Sequence, residues 1–101
     1  MPARSQNKEQ TDVLTAAPRM FAVILHNDDY TTMEFVVEVL SRVFRKSSRD
    51  AAEMMMRVHV EGSCVVGVYT YDIAVTKKVQ ADAMAEKQGF PLKITVAEAK
   101  E

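Results

Sequence analysis

Apolar and polar positions divide the chain into six short stretches of contrasting period. Residues 20–26 (MFAVILH) form a nearly continuous apolar run, the pattern of a strand buried on both faces. The polar stretch Asn27-Asp28-Asp29-Tyr30 breaks it. Thr31 with Glu34 then matches a capping box, in which a threonine hydroxyl and a glutamate side chain satisfy opposing backbone donors. This predicts a helix to about Lys46, with Met33, Val36, Leu40, Val43 and Phe44 on one stripe. Its many β-branched residues lower intrinsic helix propensity, so packing must hold it. Ser47 or Ser48 caps a second helix through Val60, ended by Gly62. Residues 63–70 (SCVVGVYT) have strand composition, and Gly67 marks a bulge or a close backbone approach. Thr70 or Asp72 caps a third helix running to Gln88, where Gly89 stops it and Phe90-Pro91 forbids continuation. Leu92, Ile94 and Val96 alternate with Lys93 and Thr95, a half-buried strand. The order β-α-α-β-α-β predicts a small α+β sandwich: a three-stranded antiparallel sheet with three helices on one face.

Residues 1–18 differ from the rest, with Val13 and Leu14 as their only large apolar residues. Such a segment buries too little surface to offset its ordering entropy, so it is expected to be a flexible N-terminal extension before a core domain at 19–101. At 101 residues the chain has room for one core. Hydrophobic residues at 48% and charged residues at 27% are ordinary for a globular protein. A formal net charge of −1 removes any generic polycation reading for nucleic acid or anionic membrane. No apolar run approaches the roughly 18 residues of a membrane span. The stretch from Met1 to Thr11 lacks the apolar core of a secretory signal, and a cytoplasmic protein is expected. Cys64 is the one cysteine, which excludes an internal disulfide.

Candidate chemistry concentrates at the acidic turn. Asn27, Asp28 and Asp29 sit between a strand and a helix, where Asn and Asp commonly bend and cap the backbone. The functional reading is a corner that binds a cation, either a metal or an amine. The metal is the weaker choice, because the chain has neither the ligand-rich loop of a calcium site nor a close histidine pair for zinc. His59, near a helix end, reads first as a packed or helix-terminal residue. Cys64 with His59 suggests a thiol–imidazole pair, but a strand cysteine is more often a buried apolar filler. No phosphate-binding loop, GxSxG or dinucleotide fingerprint is present. Met54, Met55 and Met56, joined by Met33, read as core filler or as an adaptable apolar wall. The basic run Arg42, Arg45, Lys46 and Arg49 reads as a solvated surface rather than a phosphate track.

The strings HNDDYTTMEFVVEVL (26–40), MMMRVHVEG (54–62), GVYT (67–70), TKK (76–78) and FPLKITV (90–96) together resemble the ClpS family, adaptor proteins for the Clp AAA+ proteases of bacteria and plastids. The resemblance spans residues 20 to about 97. It implies a bacterial cytoplasmic protein that is not an enzyme and uses no cofactor or metal. Such an adaptor binds N-degrons, proteins whose first residue is Phe, Tyr, Trp or Leu, and hands them to a ClpA- or ClpC-like unfoldase. Asn27, Asp29 and His59 match the positions that hold the ligand's α-amino group, with Asp28 adding negative potential. An α-ammonium has three donors and wants several acceptors at a fixed corner, with His59 neutral. The family's side-chain pocket maps onto Leu25, His26, Thr31, Met33, Val36, Met55, Val58 and Leu92. Met33 corresponds to a gatekeeper that excludes β-branched first residues. Asp72 and Lys77 match positions that dock the unfoldase's N-terminal domain, and the N-terminal extension matches a segment that engages the unfoldase during delivery.

This sequence departs from the family pattern at three places. Thr32 stands where many members have proline, which is expected to loosen the turn but leave the cap intact. Asp72 replaces a glutamate, and His26 occupies a usually apolar place, where it would narrow or polarise the pocket. Two other functions compete: a Clp-docking regulatory domain without degron binding, and a small hydrolase using His59 with Asp29 or Cys64.

Overall fold

The computed structural model describes residues 18–100. The expected extension therefore lies outside the described residues, Pro18 excepted. Strand β1 (Phe21–His26) is followed by helices α1 (Met33–Arg42) and α2 (Ser48–Glu61), strand β2 (Ser63–Tyr69), helix α3 (Tyr71–Gln88) and strand β3 (Lys93–Glu98). The sheet has the order β2-β1-β3, and both pairings are antiparallel. This is the β-α-α-β-α-β sandwich that the residue pattern predicts.

One face of β1 carries the core. Val23 and Leu25 are fully buried and cluster with Phe35, Val36, Val39 and Leu40 of α1, Val58 of α2 and Ala74, Ala81 and Ala85 of α3. The intervening Ile24 and His26 are only half-buried, and Val65 and Val68 beside them on β2 are exposed. The strand is thus covered on one face, not on both. A three-stranded sheet with three helices has no further layer for its second side. Between Val23 and Ile24 the register of β1 against β2 slips, passing from Gly67 to Val65 and leaving Val66 as the extra, buried residue of a bulge. A Cβ at Gly67 would overlap the outer end of the Tyr69 ring, so any larger residue there obliges that ring to move.

Helix boundaries show where local pattern and structure part. Thr32, not Thr31, is the N-cap of α1, and its hydroxyl accepts from the Phe35 N–H at 3.1 Å. Thr31 is unavailable because Asp28 has captured both its N–H and its hydroxyl. Thr32 therefore supplies a capping acceptor that proline lacks. The helix also ends at Arg42, four residues before the expected Lys46. Arg45, at φ 59°, takes the left-handed conformation without a glycine, while Val43 and Phe44 stay buried beyond the helix end. Ser47 caps α2 through the Asp50 N–H, and Gly62 closes it at φ 95°, its N–H donating to the Val58 carbonyl. Thr70 holds the N-cap position of α3 with extended backbone but without a side-chain hydrogen bond.

Candidate functional site

Three chain ends converge on one cavity: the end of β1, the start of α1 and the last turns of α2. The Asn27 N–H donates to the Gly62 carbonyl at 2.9 Å, tying the acidic turn to the residue that closes α2. This bond brings His59, one turn before Gly62, to the same corner as Asn27 and Asp29. Gly62 was legible in the sequence as a helix stop, but its carbonyl's part in assembling the site was not. Only the tertiary pairing of two chain segments reveals it.

Asp28 organises the turn. Its Oδ1 accepts the N–H groups of Tyr30 (2.8 Å) and Thr31 (2.7 Å), and its Oδ2 accepts the Thr31 hydroxyl at 2.7 Å. Burial pushes its pKa up, but these three hydrogen bonds outweigh it and hold the carboxyl below the usual aspartate range. An ionised Asp28 therefore adds negative charge behind the corner while its lone pairs are largely committed to the backbone. Asn27, Asp29 and His59 are exposed residues of the cavity lining. The turn-forming reading of this acidic stretch is realised by Asp28, while Asn27 and Asp29 line the cavity.

The cavity holds about 260 Å³ and is lined by Asn27, Asp28, Asp29, Thr31, Met33, Val36, Met55, Val58 and His59. Pockets for drug-sized ligands run from about 300 to 1,000 Å³, so this is a site for a single side chain and its immediate polar group. Its walls divide by chemistry. The polar groups lie on the β1–α1 turn and at His59, while Met33 and Val36 of α1 face Met55 and Val58 of α2. Met55 and His59 are four residues apart on α2, one above the other on a single helix face.

Three residues expected to line the pocket do not. Leu25 and Leu92 are buried in the core, where they support the site from behind. His26 lies on the sheet face away from the helices, its Nε2 2.8 Å from Thr95 Oγ1. Strand alternation accounts for this: with Leu25 turned to the core, His26 must turn away. It neither narrows nor polarises the cavity. Cys64 is buried in the core and its sulfur meets Arg57 Nη1 at 3.8 Å; it takes no part in the cavity lining with His59.

Asp72 and Lys77 stand on α3, which contributes no described residue to the cavity. Asp72 is exposed in the first turn of that helix. Lys77 donates from Nζ to the Val43 carbonyl at 2.8 Å and lies 5.6 Å from the centre of the Tyr69 ring. Two roomier but shallower grooves occur elsewhere, one between Arg42, Arg45, Lys77 and Gln80, the other around Arg19, Val68 and Glu98. Neither joins an apolar wall to a set of converging acceptors.

Comparison with known proteins agrees with this geometry. Residues 16–95 match the family described as ATP-dependent Clp protease adaptor protein ClpS. An ATP-dependent Clp protease adapter protein ClpS of Desulfatibacillum aliphaticivorans is 56% identical over 82 residues, covering 81% of this chain and 79% of the relative. Its counterpart in Acetivibrio thermocellus is 53% identical over 85 residues, covering 84% and 86%. Among solved structures, Agrobacterium tumefaciens ClpS2 bound to L-phenylalaninamide superposes with a TM-score of 0.79 at 43% identity, over 82% of this chain and all of the other. The chain therefore belongs to the ClpS family of ATP-dependent Clp protease adaptor proteins, and its business is adaptation rather than catalysis.

Proposed function

We propose that this adaptor binds the free α-amino group and the bulky hydrophobic side chain of proteins beginning with Phe, Tyr, Trp or Leu. It delivers them, in the cytoplasm, to a ClpA- or ClpC-like AAA+ unfoldase for degradation. The observation that carries this reading is the division of one small cavity into an acceptor corner and an apolar wall. An α-ammonium offers three donors, for which Asn27, Asp29 and His59 are the acceptors, while ionised Asp28 adds negative potential. The adjoining side chain enters between Met33, Val36, Met55 and Val58, where burying a Phe or Leu is worth about 1.5–3 kcal/mol. The structural relative from Agrobacterium tumefaciens supports the same pairing, since L-phenylalaninamide consists of a free α-amine beside a benzyl group. Asp72 and Lys77 on α3 serve the unfoldase's N-terminal domain, on a part of the molecule that leaves the cavity free.

The decisive measurement is a titration with fluorescent peptides identical beyond their first residue. Phe-, Tyr-, Trp- and Leu-initiated peptides are expected to bind saturably, and Asp- or Gly-initiated ones not to. Acetylating the Phe peptide removes the charge and leaves acceptors unpaired, and should lower affinity at least tenfold. Equal binding of free and acetylated peptides would overturn the reading.

A further inference from the structure

We propose that Met33 is an oxidation site through which peroxides switch the cavity off, an inference that rests on the degron-binding reading. Among the described residues, two methionines line the cavity, Met33 and Met55. Met54 and Met84 are partly buried against the core, and Met55 is half-buried as well. Met33 is different: the first residue of α1, it both lines the cavity and is 42% exposed, so solvent reaches this side of the lining. Susceptibility to oxidation follows access to the sulfur. Met56 is equally open, at 45%, yet lies outside the cavity lining, which gives the molecule its own internal control.

The reaction needs only a peroxide as oxidant. A sulfur lone pair attacks one peroxide oxygen, the O–O bond breaks and an S–O bond forms. The thioether loses two electrons to become the sulfoxide, and the departing hydroxide takes up the proton to leave as water. A flexible apolar wall residue thereby becomes a polar one with a strong acceptor oxygen. Once a Phe or Leu side chain fills the cavity, that oxygen needs a donor. The neighbouring Thr31 hydroxyl is already committed to Asp28 Oδ2. An unpaired acceptor at a desolvated apolar contact weakens binding. Because methionine sulfoxide is reducible enzymatically, the switch is reversible.

The test treats the full chain with graded hydrogen peroxide. Sulfoxide at each methionine is followed by peptide mass spectrometry, folding by circular dichroism, and affinity with a Phe-initiated fluorescent peptide. Wild type and Met56→Leu should lose at least tenfold in affinity in step with Met33 sulfoxide, and reduction by methionine sulfoxide reductases A and B should restore it. Met33→Leu, compared with its own untreated affinity, should change less than twofold. Unchanged binding at complete Met33 oxidation, or an equal loss in Met33→Leu, would overturn the inference while leaving the degron reading intact. Absence of binding before any peroxide is added would overturn both.

Discussion

At the scale of single residues, the cavity separates what holds a charge from what excludes a shape. Asn27, Asp29 and His59 each present an acceptor to the same corner, and each is exposed enough to be replaced without opening the core. Alanine at any of the three should weaken a Phe-initiated peptide by about tenfold or more, because a lost charge-assisted hydrogen bond is worth roughly 1.5–3 kcal/mol. Fluorescence anisotropy with the three variants checks this, and unchanged affinity in all three would remove the amine corner. Met33 is expected to act by shape. A first residue branched at Cβ puts a methyl group close to its backbone, where the proposed gatekeeper Met33 would meet it. Phe, Tyr, Trp and Leu carry a slim methylene there. Overlap of this kind costs about 1–3 kcal/mol, so Met33→Ala should bring Ile- and Val-initiated peptides within a few-fold of Leu. Leu and Phe should lose some affinity as the wall shrinks. If Ile and Val gain nothing in the same peptide panel, Met33 does not guard the entrance.

Between residue and fold lie the turns and helix ends, and here side chains from outside an element decide its limits. Asp28 fixes the turn before α1 through three accepted hydrogen bonds that hold its folded-state pKa below the ordinary value of 3.8. A carboxyl lowered on folding stabilises the protein above its unfolded pKa, and that contribution is lost as pH falls through the folded one. Denaturant unfolding of Asp28→Asn should therefore show a shallower loss of stability below about pH 4, with roughly 0.5–1.5 kcal/mol already missing at pH 7. At the other end of α1, Lys77 supplies a donor to the otherwise unpaired Val43 carbonyl. Lys77→Ala should cost about 0.5–1.5 kcal/mol in the same assay, and no change would show that water serves that carbonyl equally well. These two sites also explain what the sequence does and does not disclose. Ser47, Gly62 and Gly89 carry their capping chemistry in their own side chain or lack of one, and their places are plain from pattern. The stop of α1 depends on Arg45 in a left-handed turn and on a lysine 34 residues away, which no local period records. Asp28's hold on Thr31 likewise passes the cap to Thr32. The acidic turn Asn27-Asp28-Asp29 was legible as a polar corner between a strand and a helix, but His59's place beside it in the cavity lining depends on tertiary pairing; the exclusion of His26 from the pocket required knowing which face Leu25 turns to the core.

For the molecule as a whole, the proposed function assigns capture and delivery to different parts of the fold. The cavity is built from the end of β1, the turn after it, and α1 and α2, whereas Asp72 stands on α3. The proposed function needs three separable events: peptide capture, docking on the unfoldase and transfer. Asp72 is the sound probe of docking, because Lys77 also holds the end of α1 and its loss would mix stability with recognition. Reversing the charge with Asp72→Lys removes a favourable carboxylate from the first turn of α3, a cost of only about 0.3–1 kcal/mol. Peptide affinity should stay within twofold of wild type, while binding to the isolated N-terminal domain of the unfoldase should fall at least tenfold. Deleting residues 1–17 removes no described residue of the cavity lining and none of α3. That variant should bind the peptide and dock normally, yet fail to support degradation of a reporter beginning with Phe. The three variants, wild type included, are compared in three assays: anisotropy for the peptide, calorimetry for the unfoldase domain, and reporter turnover with the complete protease. Full turnover by the deletion variant would show that the N-terminal segment has no part in transfer. A parallel loss of peptide binding in Asp72→Lys would show instead that α3 and the cavity are coupled through the sheet, and that capture and docking are a single event.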